Sequence, residues 1–211
     1  MNVIAHRGFW LEPNEKNSTI AFKRALAHGF GIETDFRDLN GTLVISHDLP
    51  TTSCMTATEL ASLIRLQPVI SPHALNIKSD GLHMLMEEFL AKANCSSSDY
   101  FVFDMSVPDT RGYLSKEIRV FSRLSEYETN PSFINQSAGI WLDAFESDWY
   151  DMQTLKNMLA NGKQVSIVSP ELHSRPHLFL WKAIRQSGLH TNSGISICTD
   201  FPLAASTYFN E

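Results

Sequence analysis

Eight short runs of β-branched and aromatic residues recur along this chain, at 3–6, 31–37, 74–78, 100–105, 118–123, 139–145, 164–168 and 195–199, with helical patterns between most of them. Parallel strands are joined only by a crossover long enough to hold a helix, so this alternation is the mark of βα units wound around a parallel sheet. Eight is the number at which such a sheet closes. The expected fold is an α/β TIM (β/α)8 barrel forming a single domain over residues 1–211, and 43% hydrophobic residues suffice for its core. Helices are expected at 19–28, 58–65, 82–93, 151–161 and 177–186, three of them running out just before Gly29, Gly162 and Gly188. Residues 126–137 are polar, contain one proline and show no period. A doubly wound open sheet is the rival, but it would carry a glycine-rich phosphate loop after its first strand. His6-Arg7-Gly8-Phe9-Trp10 is not one.

The net charge of −6 and the lack of a basic stripe argue against a nucleic-acid partner. Cys54, Cys95 and Cys198 have neither C-x-x-C nor disulfide-framework spacing and read as small core fillers in a reducing compartment. The N-terminus enters a strand pattern at once, without a basic and then apolar leader. No apolar run approaches the roughly 20 residues that span a bilayer. The expectation is a cytoplasmic protein with no integral membrane segment, acting on a small or phosphorylated ligand. The sequence leaves its oligomeric state open.

Polar residues gather at the ends of the first strands. Glu33 and Asp35 lie two apart on a β pattern and share one face, which in a barrel is the interior. Alone, an E-x-D pair would be a solvated strand edge. At a buried mouth the two carboxylates repel unless a cation lies between them, and oxygen donors suit Mg²⁺ or Ca²⁺. His6 ends the first strand, where barrel active sites are built, and Arg7 after it offers a planar fork to phosphate oxygens. Asn40-Gly41 signals a hairpin. A three-residue loop of Leu39, Asn40 and Gly41 would pair Glu33 with His47 and place that histidine beside the carboxylates, so a bulged turn is predicted. Two histidines near a metal-bound phosphodiester can divide the proton transfers of cleavage between them.

His6-Arg7-Gly8, Asn17-Ser18-Thr19-Ile20-Ala21-Phe22, Ile32-Glu33-Thr34-Asp35, Asn40-Gly41, His47-Asp48 and Thr199-Asp200-Phe201-Pro202 resemble, in order and approximate spacing, the glycerophosphodiester phosphodiesterase family. The resemblance covers nearly the whole chain. It implies a TIM barrel, a divalent metal, and hydrolysis of a small phosphodiester to an alcohol and a phosphomonoester. His6 and His47 would match the acid–base pair, and Glu33 and Asp35 two metal ligands.

Two positions depart from the family pattern. Lys16 stands where a glutamate usually precedes the asparagine, and Asn76 stands where the third strand usually supplies a third carboxylate ligand. Asn76 can still give a carbonyl oxygen to a hard cation, at lower affinity. Lys78 on the same face is assigned to the phosphate. Asp80, Asp104 and Glu171 are candidate substitute carboxylates; Glu171, in a polar insertion after the seventh strand, ranks first and is assigned to the substrate side. Asp143 is either a site residue or a buried hydrogen-bonded one. His28, His73, His83 and His190 are expected on helix ends or loops, without a role. The resemblance implies glycerophosphodiesters with small head groups, and the short loops leave no obvious lipid-inserting surface. Two further readings stay open: a barrel that binds a phosphorylated metabolite without turning it over, and a lyase that releases a cyclic phosphate.

Overall fold

The computed structural model describes residues 1–210. Eight parallel strands circle a common axis: β1 (Asn2–His6), β2 (Gly31–Leu39), β4 (His73–Ile77), β5 (Tyr100–Phe103), β6 (Phe121–Leu124), β7 (Gly139–Leu142), β8 (Gln164–Val168) and β9 (Ile195–Thr199). Their order around the sheet is β5-β4-β2-β1-β9-β8-β7-β6. The remaining strand, β3 (Thr42–Ile45), lies antiparallel to the far end of β2. Between β5 and β6 the ring is joined by one bridge, Val102 to Val120, where the Val102 N–H donates to the Arg119 carbonyl (2.9 Å). The fold is a TIM barrel with one loosely stitched seam.

Helices follow most strands: α1 (Thr19–Ala27), α2 (Ala57–Arg65), α3 (His83–Ala93), α4 (Val107–Ser115), α5 (Met152–Ala160), α6 (Leu178–Gln186) and α7 (Pro202–Asn210). Ser18 caps α1, and Thr56 with Glu59 forms a capping box on α2, so orphan N–H groups at both helix starts are satisfied. Two helices were not legible in the pattern. In α4, Pro108 and Gly112 mask the helical period; Pro108 falls in the first turn, where it is tolerated, and a Cβ on Gly112 would lie 2.9 Å from His83 Nδ1. In α7 the short apolar tail shows little amphipathic contrast. The stretch 125–138 forms turns rather than a helix, in keeping with its lack of period.

Strand alternation separates two cores. Outward side chains pack under the helices, while Ile4, Ala74, Phe101, Phe103, Phe121, Trp141, Val168 and Cys198 fill the barrel. Phe101 stacks on Phe121 with ring centres 3.9 Å apart, and Phe103 on Trp141 at 4.0 Å. Gly139 makes room for this plug, because a Cβ there would approach the Phe121 ring to 2.4 Å. One inward step beyond this plug stand His6, Asn76, Arg123, Asp143 and Asp200, so the C-terminal mouth carries the chemistry above an aromatic floor.

The β2–β3 turn corrects the sequence reading. Leu39 pairs with Thr42, so the loop is the two residues Asn40 and Gly41, both at positive φ (51° and 77°), as a type I′ turn requires. That register sets Asp35, not Glu33, against the start of the segment after β3, where the Ser46 N–H donates to the Asp35 carbonyl. His73 is a second correction. It opens β4 fully buried, and its Nδ1 accepts from the Ile32 N–H (3.0 Å). Burial pushes its pKa down to about 4, so it is a neutral structural histidine.

Candidate active site

His6 stands at the end of β1, in register with Glu33 on β2. Its Nδ1 lies 2.7 Å from Asp200 Oδ1, and its Nε2 lies 3.9 Å from Glu33 Oε2. A carboxylate at Nδ1 takes the proton on that nitrogen and leaves Nε2 turned toward the mouth. The Trp10 indole N–H donates to the His6 carbonyl (3.1 Å), fixing the backbone behind the ring. Asp200 is held in turn by Glu171, whose Oε1 accepts from the Asp200 N–H (3.2 Å) and the Thr199 hydroxyl, while Ser169 donates to Oε2. Glu171 thus has its oxygens committed to bracing the β8 and β9 loops and is not gathered with the other carboxylates.

Arg7 adopts a left-handed backbone (φ 55°), which turns its amide onto Glu33 Oε2 (3.2 Å) and its carbonyl onto the Asn17 N–H (2.9 Å). Its Nε lies 3.6 Å from Asp35 Oδ2. Asn17, also left-handed (φ 56°), donates Nδ2 to Asp35 Oδ2 (2.9 Å) and accepts at Oδ1 from Thr34 (2.8 Å). Lys78 Nζ completes the ring around Asp35 at 3.4 Å from Oδ1. Asp35 therefore has an amide and two cations about it, whereas Glu33, 3% exposed, has one amide. Burial first, and the neighbouring Asp35 charge second, push the Glu33 carboxyl up to about 7.

The β4 residue in register with Asp35 is Asn76, 6% exposed, and its Oδ1 is buried without a hydrogen-bond partner. An orphaned amide oxygen beside two buried carboxylates, one of them reluctant to ionise, is a donor set that fits a hard cation. It falls short of a strong site: among the described residues, no cluster of three or more His, Cys, Asp or Glu side chains is placed to hold a metal.

His47 follows β3 instead of ending it, so strand alternation does not decide its direction. Its ring pairs with Asp48 (Nδ1 to Oδ1, 2.9 Å), and its side chain is 43% exposed. It borders an open cleft of about 740 Å³ shared with Arg7, Lys16, Asn17 and Ser46. Its carbonyl is clamped by the Arg37 guanidinium (3.2 Å). His47 thus stands on a side loop in the cleft it shares with Arg7 and Asn17, and its ring is paired with Asp48 rather than with Glu33.

The opposite half of the mouth holds a second polar group. Arg123 on β6 donates to Asp104 after β5 and to Asp143 after β7, and His173 Nε2 meets Asp143 Oδ1 at 2.7 Å. Asp104 and Arg123 bridge the seam where the β5–β6 backbone bonds give out. Asp143 is accordingly a buried, hydrogen-bonded residue, and Asp104 belongs to this lock. Asp80 accepts from the Ser106 hydroxyl (2.9 Å). The roles of Asn17 and Asp200 escaped the sequence reading, although both stood in its motifs. A polar residue directly after the last strand, at the mouth, was the available signal for Asp200.

The fold is that of the TIM barrels, and solved structures share it over nearly the whole chain. A glycerophosphodiester phosphodiesterase from Parabacteroides distasonis superposes with a TM-score of 0.71 at 13% identity, covering 99% of this chain and 96% of that one. A phosphodiesterase from Oleispira antarctica, solved with its product sn-glycerol-3-phosphate, gives 0.70 at 16% identity, with coverage of 100% and 97%. A Ca²⁺-dependent phosphatidylinositol-specific phospholipase C from Streptomyces antibioticus gives 0.54 at 10% identity, with coverage of 99% and 95%. No protein-family model matches the sequence, and comparison with curated proteins yields no match. At such identities the likeness is one of fold. No helix among the described residues is long and apolar enough to cross a membrane.

Proposed function

We propose that the protein hydrolyses a glycerophosphodiester-like phosphodiester to an alcohol and a phosphomonoester at the β1–β2–β4 side of the barrel mouth. The observation that carries the reading is His6: a ring with one nitrogen fixed by a carboxylate and the other facing a buried Glu33, with Arg7 and Lys78 alongside. A phosphodiester is an anion, and two cations already balanced against Asp35 can turn part of their charge to its non-bridging oxygens. His6 Nε2 moves a proton between the mouth and one ester or water oxygen. His47 at the rim supplies the second transfer, so that water adds at phosphorus and the alkoxide leaves as the alcohol. Glu33, Asp35 and the Asn76 oxygen would hold a divalent cation, Mg²⁺ or Ca²⁺, which when bound supplies positive charge to the phosphate. Asp200 and Trp10 keep His6 in place. The solved neighbours described as phosphodiesterases and as a Ca²⁺-dependent phospholipase support the reaction class and the use of a cation.

The test is cleavage of a panel of glycerophosphodiesters and bis(p-nitrophenyl) phosphate with Mg²⁺, Ca²⁺, Mn²⁺ or chelator, beside His6→Ala and Glu33→Ala. Turnover that needs a cation and is lost in both variants is expected. Phosphorus NMR of the product separates hydrolysis from release of a cyclic ester. Folded protein that turns over nothing with any cation would refute the assignment.

A further inference from the structure

The segment between β1 and α1 supplies one wall to each of two depressions. Arg7, Lys16 and Asn17 line the polar cleft already described, and Phe9, Trp10 and Leu11 line a second groove of about 680 Å³ with Phe201, Leu203 and Tyr208. This second groove is overwhelmingly apolar, and it is open: Leu11 is 61% and Leu203 50% exposed. The loops judged too short to present an apolar surface do present one. Its lining includes Asp200 and Trp10, the two residues that hold His6. Lys16 marks the border, with Nζ 4.4 Å from the centre of the Trp10 ring. The lysine at a position where the family resemblance implied a glutamate thereby puts a cation between the polar cleft and the apolar groove. A ligand lying across His6 would meet cations on one side and bare hydrocarbon and aromatic surface on the other.

We propose that this groove holds the single hydrocarbon chain of an amphiphilic phosphodiester, a monoacyl or monoalkyl glycerophosphodiester, whose phosphate lies at His6 and Arg7. The proposal rests on the phosphodiesterase reading of that site and names its substrate class. Three features favour a bound chain over a membrane surface or a second protein. Two of the groove's lining residues, Trp10 and Asp200, are hydrogen-bonded to His6. Its size falls among ligand pockets, about 300–1,000 Å³, rather than interfaces. The net charge of −6 gives no attraction to an anionic bilayer.

The experiment measures kcat/KM for glycerophosphodiesters carrying no chain or chains of 4 to about 10 carbons, kept below micelle formation. Wild type is compared with Leu11→Gln and Leu203→Gln, exposed positions outside the catalytic groups. Each added methylene should raise kcat/KM about twofold in wild type, since an open groove covers part of each methylene. Both variants should flatten that slope while keeping the rate on the chain-free diester. Turnover of every diester with no dependence on chain length would overturn the groove and leave the phosphodiesterase standing. If nothing is turned over, calorimetric titration with alkylphosphocholines of the same lengths decides separately. Affinity that rises with length in wild type and not in the variants supports the groove; flat or absent binding overturns it. Sedimentation with phosphatidylcholine vesicles, together with no chain-length dependence below micelle formation, would overturn it in favour of a membrane surface.

Discussion

Two buried groups should pull the stability of this protein in opposite directions with pH. Glu33 rises from 4.5 to about 7 on folding, so between these values the folded protein binds a proton that the unfolded chain has released. Stability from this group is fully present below pH 4.5 and is lost as pH rises toward 7, by about 3 kcal/mol in all. His73 falls from 6.5 to about 4, so the unfolded chain holds the extra proton there and stability is lost as pH falls, by a similar amount. Between about pH 4.5 and 6.5 the slopes nearly cancel. Glu33→Gln keeps the shape of the side chain and removes its titration. His73→Asn keeps an acceptor for the Ile32 N–H and removes the ring. In chelator, Glu33→Gln should gain stability relative to wild type as pH rises from 4.5 to 7, and His73→Asn should gain as pH falls from 6.5 to 4. For a chain of this length about 3 kcal/mol is a relative change in Tm of roughly 6–12 °C, readily seen by calorimetry. Melting curves of Glu33→Gln running parallel to wild type at every pH would refute the claim that Glu33 is an uncompensated buried acid. A saturating divalent cation should abolish the Glu33 slope in wild type, because it holds the carboxylate ionised.

Asp200→Asn replaces the charged carboxylate that orients His6 with a neutral amide, so kcat should fall about 100-fold with KM little changed; wild-type kcat would remove Asp200 from the positioning of His6. Asn76→Glu supplies the missing carboxylate: cation affinity measured by titration should rise at least about tenfold, and the chelated protein should melt lower, because a third buried negative charge then lacks a partner. Arg123→Met leaves Asp104 without its fork and Asp143 with only His173 and the Ala144 N–H. It should cost about 3 kcal/mol by urea unfolding and speed hydrogen exchange at the Val102 amide in the seam, while a loss below about 0.5 kcal/mol would show that the lock does not hold β5 to β6.

The barrel was legible in the local pattern. Eight apolar runs, each too short to be a helix and spaced by crossover-length segments, admit few other closed arrangements, because every parallel strand must bury both faces. That pattern also determined that His6, Glu33 and Asp35 meet, since alternation puts Glu33 and Asp35 on one face, and strand ends converge at one mouth. Its reading of the β2–β3 turn failed on one residue of register. Asn40-Gly41 accommodates two turns, and the choice between a two-residue and a three-residue loop is made by how β3 packs, not by the turn residues alone. The remaining partners lie far apart along the chain and meet only when the ring closes, so no local pattern could pair them. Asp200 reaches His6 from the other end of the chain, Glu171 is committed to the loops that carry Asp200, and Arg123 is locked between Asp104 and Asp143 across a seam with a single backbone bridge. Local pattern encodes which face a side chain takes; closure of the barrel decides which other side chains share it.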